Sequence, residues 1–268
     1  MGNAKIQGSL WNSSAHDWCE LQEPLQRPLW ESIYDTINLS KGTNFLDAGC
    51  GGGGACLLAK QRGAKITGIE AAPDMLKCAQ EQVPDGKFTL GDIQHLPYES
   101  NCFDVVLSSS SLQYSEDRIE TLQEFKRVAK NDGLIVVSLW SEPQKVDYRI
   151  IFEAVKSLFK IAPKGKGPFE LSGSGVLEDL IKSVGLDILV SKDVHCPFNY
   201  KNFDIFWRVN KATGPLQMAL KTISEAKLKA KLREVVRPHL MNDGSIYIDN
   251  YFKYVVSKKS EKQKKYTS

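Results

Sequence analysis

The stretch LDAGCGGGG, residues 46–54, sets five glycines in nine positions directly behind a short apolar run. Such a chain can turn tightly and let another group approach its backbone closely, which constrains the fold more than any other feature of this sequence. It reads in two ways. As Gly49-x-Gly51-x-x-Gly54 it fits the dinucleotide fingerprint, in which a pyrophosphate rests on a helix N-terminus. Begun at Asp47 it reads D-x-G-x-G-x-G, an acidic loop suited to a different ligand.

From residue 44 onward, short β-rich runs alternate with helical stretches, the sequence form of β-α-β units wound around a parallel sheet. Strands are expected at 44–47, 65–70, 88–90, 103–107, 134–140, 186–194 and 245–256. The run FDVVL at 103–107 is almost wholly apolar, as a strand buried on both faces requires. Helices are expected at 54–61, closed by Gly63, and after Pro73, which tolerates a first turn because its missing N–H costs least there. A third is expected after a Ser115 cap, with Ile119, Leu122, Phe125, Val128 and Ala129 on its apolar face, and a fourth over 175–184.

Residues 1–43, with Trp11, Trp18 and Trp30, read as a helical segment that can cover the site as a lid. The main domain spans 44–256 and is interrupted by insertions at about 141–174 and 197–244. The first insertion holds a helix near 148–159 and a Pro- and Gly-punctuated loop at 163–168. The second holds an aromatic cluster, Phe198, Tyr200, Phe203, Phe206 and Trp207, and a helix from about 215 to 236.

The net charge of +3 is unevenly spread. Residues 258–268 carry five Lys and one Glu, a local +4, which leaves −1 for everything before them. The folded part is electrically balanced, which argues against nucleic acid, and residues 257–268 read as a basic, disordered tail. No run approaches the roughly 18 apolar residues of a membrane span. Six cysteines form no C-x-x-C pair and no metal-ligand spacing with the four histidines, so they read as reduced side chains of a cytoplasmic protein without a metal.

Charge also separates the two readings of the glycine loop. A pyrophosphate there would lie about 5 Å from Asp47, where like charges repel by roughly 3 kcal/mol at an effective dielectric near 20. S-adenosylmethionine carries no phosphate, and its sulfonium and ammonium groups are attracted by an acidic loop. Glu70, at the end of the second strand, can accept ribose hydroxyls, a role shared with NAD sites. Asp92, at the end of the third, suits an adenine amino group, with Ile93 against the ring. Three acids at three successive strand ends lie on the edge where open α/β sheets bind ligands.

The segments LDAGCGGG, GIEAAPDML, GDIQHLPYESNCFDVVLSSSSLQY and EFKRVAKNDGLIVVSLW together resemble the class I S-adenosylmethionine-dependent methyltransferases, nearest the branch typified by ubiquinone and menaquinone methyltransferases. The resemblance covers about residues 44–140. It implies a Rossmann-like three-layer α/β/α sandwich with a seven-stranded, mostly parallel sheet whose last strand is antiparallel. It also implies cofactor contacts at Asp47, Gly49, Gly51, Glu70, Asp92, Ile93 and Ser108; Ala71 and Met75, just beyond Glu70, join this set. Gly52 stands where Thr is common in the family, and His95 where a small residue is usual.

The fourth strand ends in four serines and lacks an Asn-Pro-Pro-Tyr motif, which points away from base or glutamine-amide acceptors and toward a small molecule. Methyl transfer is an in-line displacement that positioning alone can accelerate by up to ~7–11 kcal/mol. Where a base is needed, His16, His195 and His239 are candidates by type, and His195 is expected nearest the methyl group because the sixth strand should end at the same sheet edge. The acceptor is expected against the aromatic insertion that follows it. A cofactor-binding protein without catalysis and an NAD-type oxidoreductase are the competing classes.

Overall fold

The computed structural model describes residues 3–159 and 167–260. Its strands are β1 (Asn44–Ala48), β2 (Lys65–Glu70), β3 (Lys87–Leu90), β4 (Phe103–Ser109), β5 (Ala129–Trp140), β6 (Leu186–His195), β7 (Phe198–Tyr200), β8 (Ile246–Ile248) and β9 (Tyr251–Lys259). Seven of them form one sheet in the order β3-β2-β1-β4-β5-β9-β6. Neighbours from β3 through β5 pair in parallel, while β9 enters between β5 and β6 antiparallel to both. The sheet is therefore seven-stranded and mostly parallel, and its last strand is the antiparallel one.

Alternation along the strands divides the core in two. Phe45, Val105, Leu107 and Val136 face the helices Arg27–Thr36, Gly54–Gln61 and Pro73–Gln82, which bury Leu29, Tyr34, Ala59 and Ala79 against them. Leu46, Val106, Ile135 and Val137 face the opposite way, onto Leu122 and Phe125 of Arg118–Val128 and Leu177 and Ile181 of Val176–Ser183. One sheet is thus covered by helices on both faces, which is why its central strands are apolar throughout.

Strand order reverses between β1 and β4, whose neighbours β2 and β5 lie on opposite sides. At such a point the loops leaving the carboxyl ends of the strands part and open a crevice. Three stretches of chain line it besides the sheet: the N-terminal helices, the helix Arg149–Ser157 through Phe152, and the start of the helix Gly214–Leu220 through Thr213 and Pro215.

Several boundaries differ from the sequence reading. The helix beginning at Arg118 is capped by Asp117, whose carboxylate accepts from the N–H groups of Ile119 (2.9 Å) and Glu120 (3.0 Å), and Ser115 lies outside it. Ile119, assigned to its apolar face, is 47% exposed. β5 starts at Ala129, through an irregular register against β4, in place of Leu134. The helix expected at 215–236 is two, Gly214–Leu220 and Glu225–Val235. The strand expected at 245–256 is also two, β8 in a ribbon with β7 and β9 in the main sheet. β9 continues to Lys259 with Ser257 fully buried, so the ordered chain reaches into the segment read as tail. The rest of that segment, 261–268, and residues 163–166 of the punctuated loop lie outside the described residues.

Candidate functional site

The glycine loop leaves β1 after Ala48 and turns over the crevice before the helix Gly54–Gln61. Gly49, Gly51 and Gly53 have φ of +86°, +53° and +91°, a region L side chains rarely enter. At Gly49 a Cβ would also meet the Cβ of Ser111 at 2.4 Å, so the turn has room only for hydrogen. Gly52 has a different cause. Its Cβ would strike Cys19 Sγ at 2.1 Å, so a residue of the N-terminal segment leaves no room for the side chain of a Thr there.

The loop's amides, the groups that would cradle a phosphate, already have partners. Gly51 N–H donates to Glu70 Oε2 at 3.0 Å. Gly52 and Gly54 N–H donate to the two carboxylate oxygens of Glu23 at 2.6 and 2.9 Å. Glu23 comes from the N-terminal segment and is buried; it also accepts from Trp18 Nε1 at 3.1 Å. It caps a helix whose own N-cap, Gly53, has no side chain, and it fills an anion site with protein carboxylate. The sequence contains no pattern that singles Glu23 out.

Asp47 is 1% exposed, and its Oδ1 has no hydrogen-bond partner. Its Oδ2 accepts only a thiol, Cys56 Sγ at 3.4 Å. Burial pushes the Asp47 carboxyl up to about 7; the Cys56 contact opposes the shift and the nearby Glu70 charge adds to it. Burial likewise pushes Glu23 up to about 7 against the pull of the Gly52 and Gly54 amides. Glu70 is raised by burial too, although Ala71 and Ala72 N–H donate to its Oε1 at 2.8 and 2.9 Å. Buried carboxylates short of positive partners are what a cationic ligand would relieve.

One cavity collects Asp47, Gly49, Gly51, Glu70, Ala71, Met75, Asp92 and Ile93. Ser108 is not among them. It is fully buried, its hydroxyl 2.6 Å from that of Ser111 and accepting from Leu112 N–H at 3.1 Å, so it props the turn from beneath. The next three residues, Ser109, Ser110 and Ser111, line the cavity instead, because β4 runs to Ser109, two residues beyond the expected end. Ser110 has a φ of +59°, and neither its Oγ nor the Oε1 of cavity-lining Gln113 has a partner. Of the five buried side-chain atoms without a partner among the described residues, three line this one cavity.

The N-terminal segment closes the same space. Trp11 and Trp18 meet edge to face at 4.8 Å and both line it. The helix Ala4–Asn12 lies against the turn that follows β2 so closely that a Cβ on Gly8 would meet Ala71 O at 2.3 Å. Asn12 pins its far end, accepting from Asp74 N–H at 2.6 Å and donating to the Asp74 carboxylate at 2.8 Å.

The other end of the cavity is aromatic: Trp140, Tyr148, Phe152, Phe198 and Phe252 line it. Trp140 stacks on Phe252 at 4.3 Å and on Tyr148 at 5.4 Å. Phe198 thus belongs to the cavity, as the sequence reading of the insertion expected, and Thr213 and Pro215 join it. Phe206 and Trp207 do not; they are core beneath the helix Glu225–Val235, and Phe203 lies under Arg233, 4.0 Å from its ring centroid. The sequence shows aromatic enrichment but not which faces turn inward.

His195 does not reach the cavity. It pairs with Asp249 at 2.5 Å, lies 4.9 Å from the Tyr251 ring and is half exposed. β6 does end at the ligand edge, but β9 and β5 stand between it and the β1–β4 crevice. His16 and His239 face Glu20 and Asp147, and His95 faces Glu120; none of the four histidines lines the site.

Residues 46–137 match the family model described as a methyltransferase domain. A norajmaline N-methyltransferase of Rauvolfia serpentina is 37% identical over 116 residues, 40% of this chain and 38% of that protein. A 2-methyl-6-phytyl-1,4-hydroquinone methyltransferase of Synechocystis is 37% identical over 108 residues, 39% of this chain and 34% of that protein. A demethylmenaquinone methyltransferase of Staphylococcus aureus is 31% identical over 157 residues, 54% of this chain and 65% of that protein. The chain therefore spans between a third and two thirds of the length of these relatives. A SAM-dependent methyltransferase of Thermotoga maritima shares the fold over 95% of this chain and 100% of its own at a TM-score of 0.55 and 15% identity. So does the cyclase SpnF, over 87% of this chain and 80% of its own, at a TM-score of 0.55 and 19% identity.

Proposed function

We propose, from the methyltransferase domain formed by residues 46–137, that the protein transfers a methyl group from S-adenosylmethionine to a small-molecule acceptor. The observation that carries this reading is the buried, unpartnered Asp47 Oδ1 in a cavity that also holds Glu70 and Asp92. The bound cofactor supplies a methyl group on a positively charged sulfur. Asp47 and Glu70 attract its positive groups, Glu70 has acceptor capacity left for ribose hydroxyls, and Asp92 takes the adenine amino group. Ile93, Ala71 and Met75 give apolar contact, Gly49 and Gly51 allow close approach, and Trp11 and Trp18 exclude water.

A nicotinamide dinucleotide is the weaker reading, because its pyrophosphate would have to displace Glu23 and Glu70 from the loop amides. Thermal melting separates the two. S-adenosylhomocysteine should raise the Tm and NAD should not; the reverse would overturn the assignment. A reduced, cytoplasmic setting fits the six free cysteines, and no helix among the described residues is long and apolar enough to cross a membrane. Thiol titration of protein isolated without reductant should find all six reduced.

A further inference from the structure

The charge of the cavity is lopsided. Five carboxyl side chains line it, Glu23, Asp47, Glu70, Asp92 and Glu116, and among the described residues no Lys, Arg or His does. Phenolates, carboxylates and phosphate-bearing acceptors would enter it as anions with no protein cation among the described lining residues to meet them. A neutral phenol would need a base, and the aromatic end offers none. Burial pushes the Tyr114 hydroxyl up to about 12, and Tyr148 OH is committed to Asn210 Oδ1 at 2.7 Å.

What that end does offer is ring surface. Trp140, Tyr148, Phe152, Phe198 and Phe252 line it, Phe152 half-buried and the other four buried and packed on one another, and a cluster of π-systems carries negative potential that attracts ammonium groups. We propose that the acceptor is an amine on an aromatic or apolar body, held by these five rings; this rests on the methyl-transfer reading above. For a tertiary amine that enters as its free base, having left its proton to bulk solvent, the balance closes without a base in the site. The nitrogen lone pair forms the new C–N bond as the C–S bond breaks and its electron pair returns to sulfur. Positive charge passes from sulfur to nitrogen, and no proton leaves. The rings that admit the amine then stabilise the ammonium that develops in the transition state, where the gain accelerates the reaction.

The test uses the full chain saturated with S-adenosylhomocysteine and three probes of one shape: benzyltrimethylammonium, its neutral isostere neopentylbenzene, and the anion phenylacetate. Calorimetric titration should find the cation bound about tenfold tighter than the isostere, with phenylacetate weakest. Phe152→Leu, at a half-buried wall position, should narrow the gap to less than threefold while S-adenosylhomocysteine affinity holds within twofold; Trp140→Leu provides the second variant, and Trp140→Phe should restore the gap. With labelled S-adenosylmethionine, N,N-dimethylbenzylamine should be methylated and 4-ethylphenol should not. A neutral or anionic probe bound as tightly as the cation, or a gap unchanged in both Leu variants, would overturn the amine assignment while leaving methyl transfer standing. Failure of S-adenosylhomocysteine to bind would overturn the methyl-transfer reading and the amine with it.

Discussion

The two ends of the cavity are built on different plans. The acidic end, which we propose holds the cofactor, is local: Asp47, Glu70 and Asp92 each lie within two residues of the end of a strand, so a strand, a glycine or an acid in the sequence is also a place in the cavity. The aromatic end, which we propose holds the acceptor, is assembled from afar. Trp140 ends β5, Tyr148 precedes a helix, Phe198 begins β7 and Phe252 lies in β9, and only the folded sheet brings them within 4.3 to 6.1 Å ring contacts. A topology that fixes strand ends fixes the acidic end of the cavity with them, while the aromatic end varies with whatever the connections carry.

Glu23 is the residue on which this division is most exposed, because a distant segment supplies it to the local end. Glu23→Ala would leave the buried amides of Gly52 and Gly54 without acceptors, at about 1–3 kcal/mol each, and should cost about 2–5 kcal/mol of stability in urea unfolding. A loss under 1 kcal/mol would show that the N-terminal segment is not part of the loop's structure. Glu70→Ala should weaken S-adenosylhomocysteine by about 1.5–3 kcal/mol in calorimetry, and unchanged affinity would remove Glu70 from the site.

The protonation of the buried acids sharpens the contrast further. Asp47 and Glu23, pushed to about 7 in the fold, hold protons that the unfolded chain releases near its ordinary carboxylate range. The contribution of these two groups to the stability of the ligand-free protein, read as the difference between wild type and Asp47→Asn or Glu23→Gln, should therefore be greatest at or below about pH 4 and fall as pH rises toward 7, by at most about 1.4 kcal/mol per pH unit for each group. A positively charged ligand stabilises the ionised forms, so the Tm increase given by S-adenosylmethionine should grow from pH 5 to 7. A shift that shrinks over that range would mean the acids do not face the ligand's charge. The smallest effect is expected at His195, outside the cavity: His195→Gln should stay within about 0.5 kcal/mol of wild-type stability and leave turnover unaltered.

Legibility in the sequence follows the same division. Glycine spacing, strand periodicity and acids at strand ends are enough for the strands and for Asp47, Gly49, Gly51, Glu70, Asp92 and Ile93 of the cavity, because each depends on neighbours a few positions away, while Ala71, Met75 and the antiparallel last strand come only from the family resemblance. Ser108 was displaced because the length of β4 is set by its pairing with β5, up to Ser109 opposite Ser138, and not by its own apolar run. Glu23 was invisible because a lone Glu in a helical segment looks like any solvated acid until the glycine amides are seen against it. His195 misled because the shared edge of a sheet is a line of seven strand ends, and the order of strands along that line is not written near any of them.

The account stands most directly on whether the buried carboxylate of Asp47 serves a cationic cofactor. Calorimetric titration of wild type and Asp47→Asn with S-adenosylmethionine and with NAD at pH 7 measures this. Wild type should bind S-adenosylmethionine and not NAD, and a folded Asp47→Asn should bind S-adenosylmethionine at least about tenfold more weakly, a change of about 1.4 kcal/mol. Binding of NAD by wild type, or an unchanged S-adenosylmethionine affinity in a folded Asp47→Asn, would contradict it.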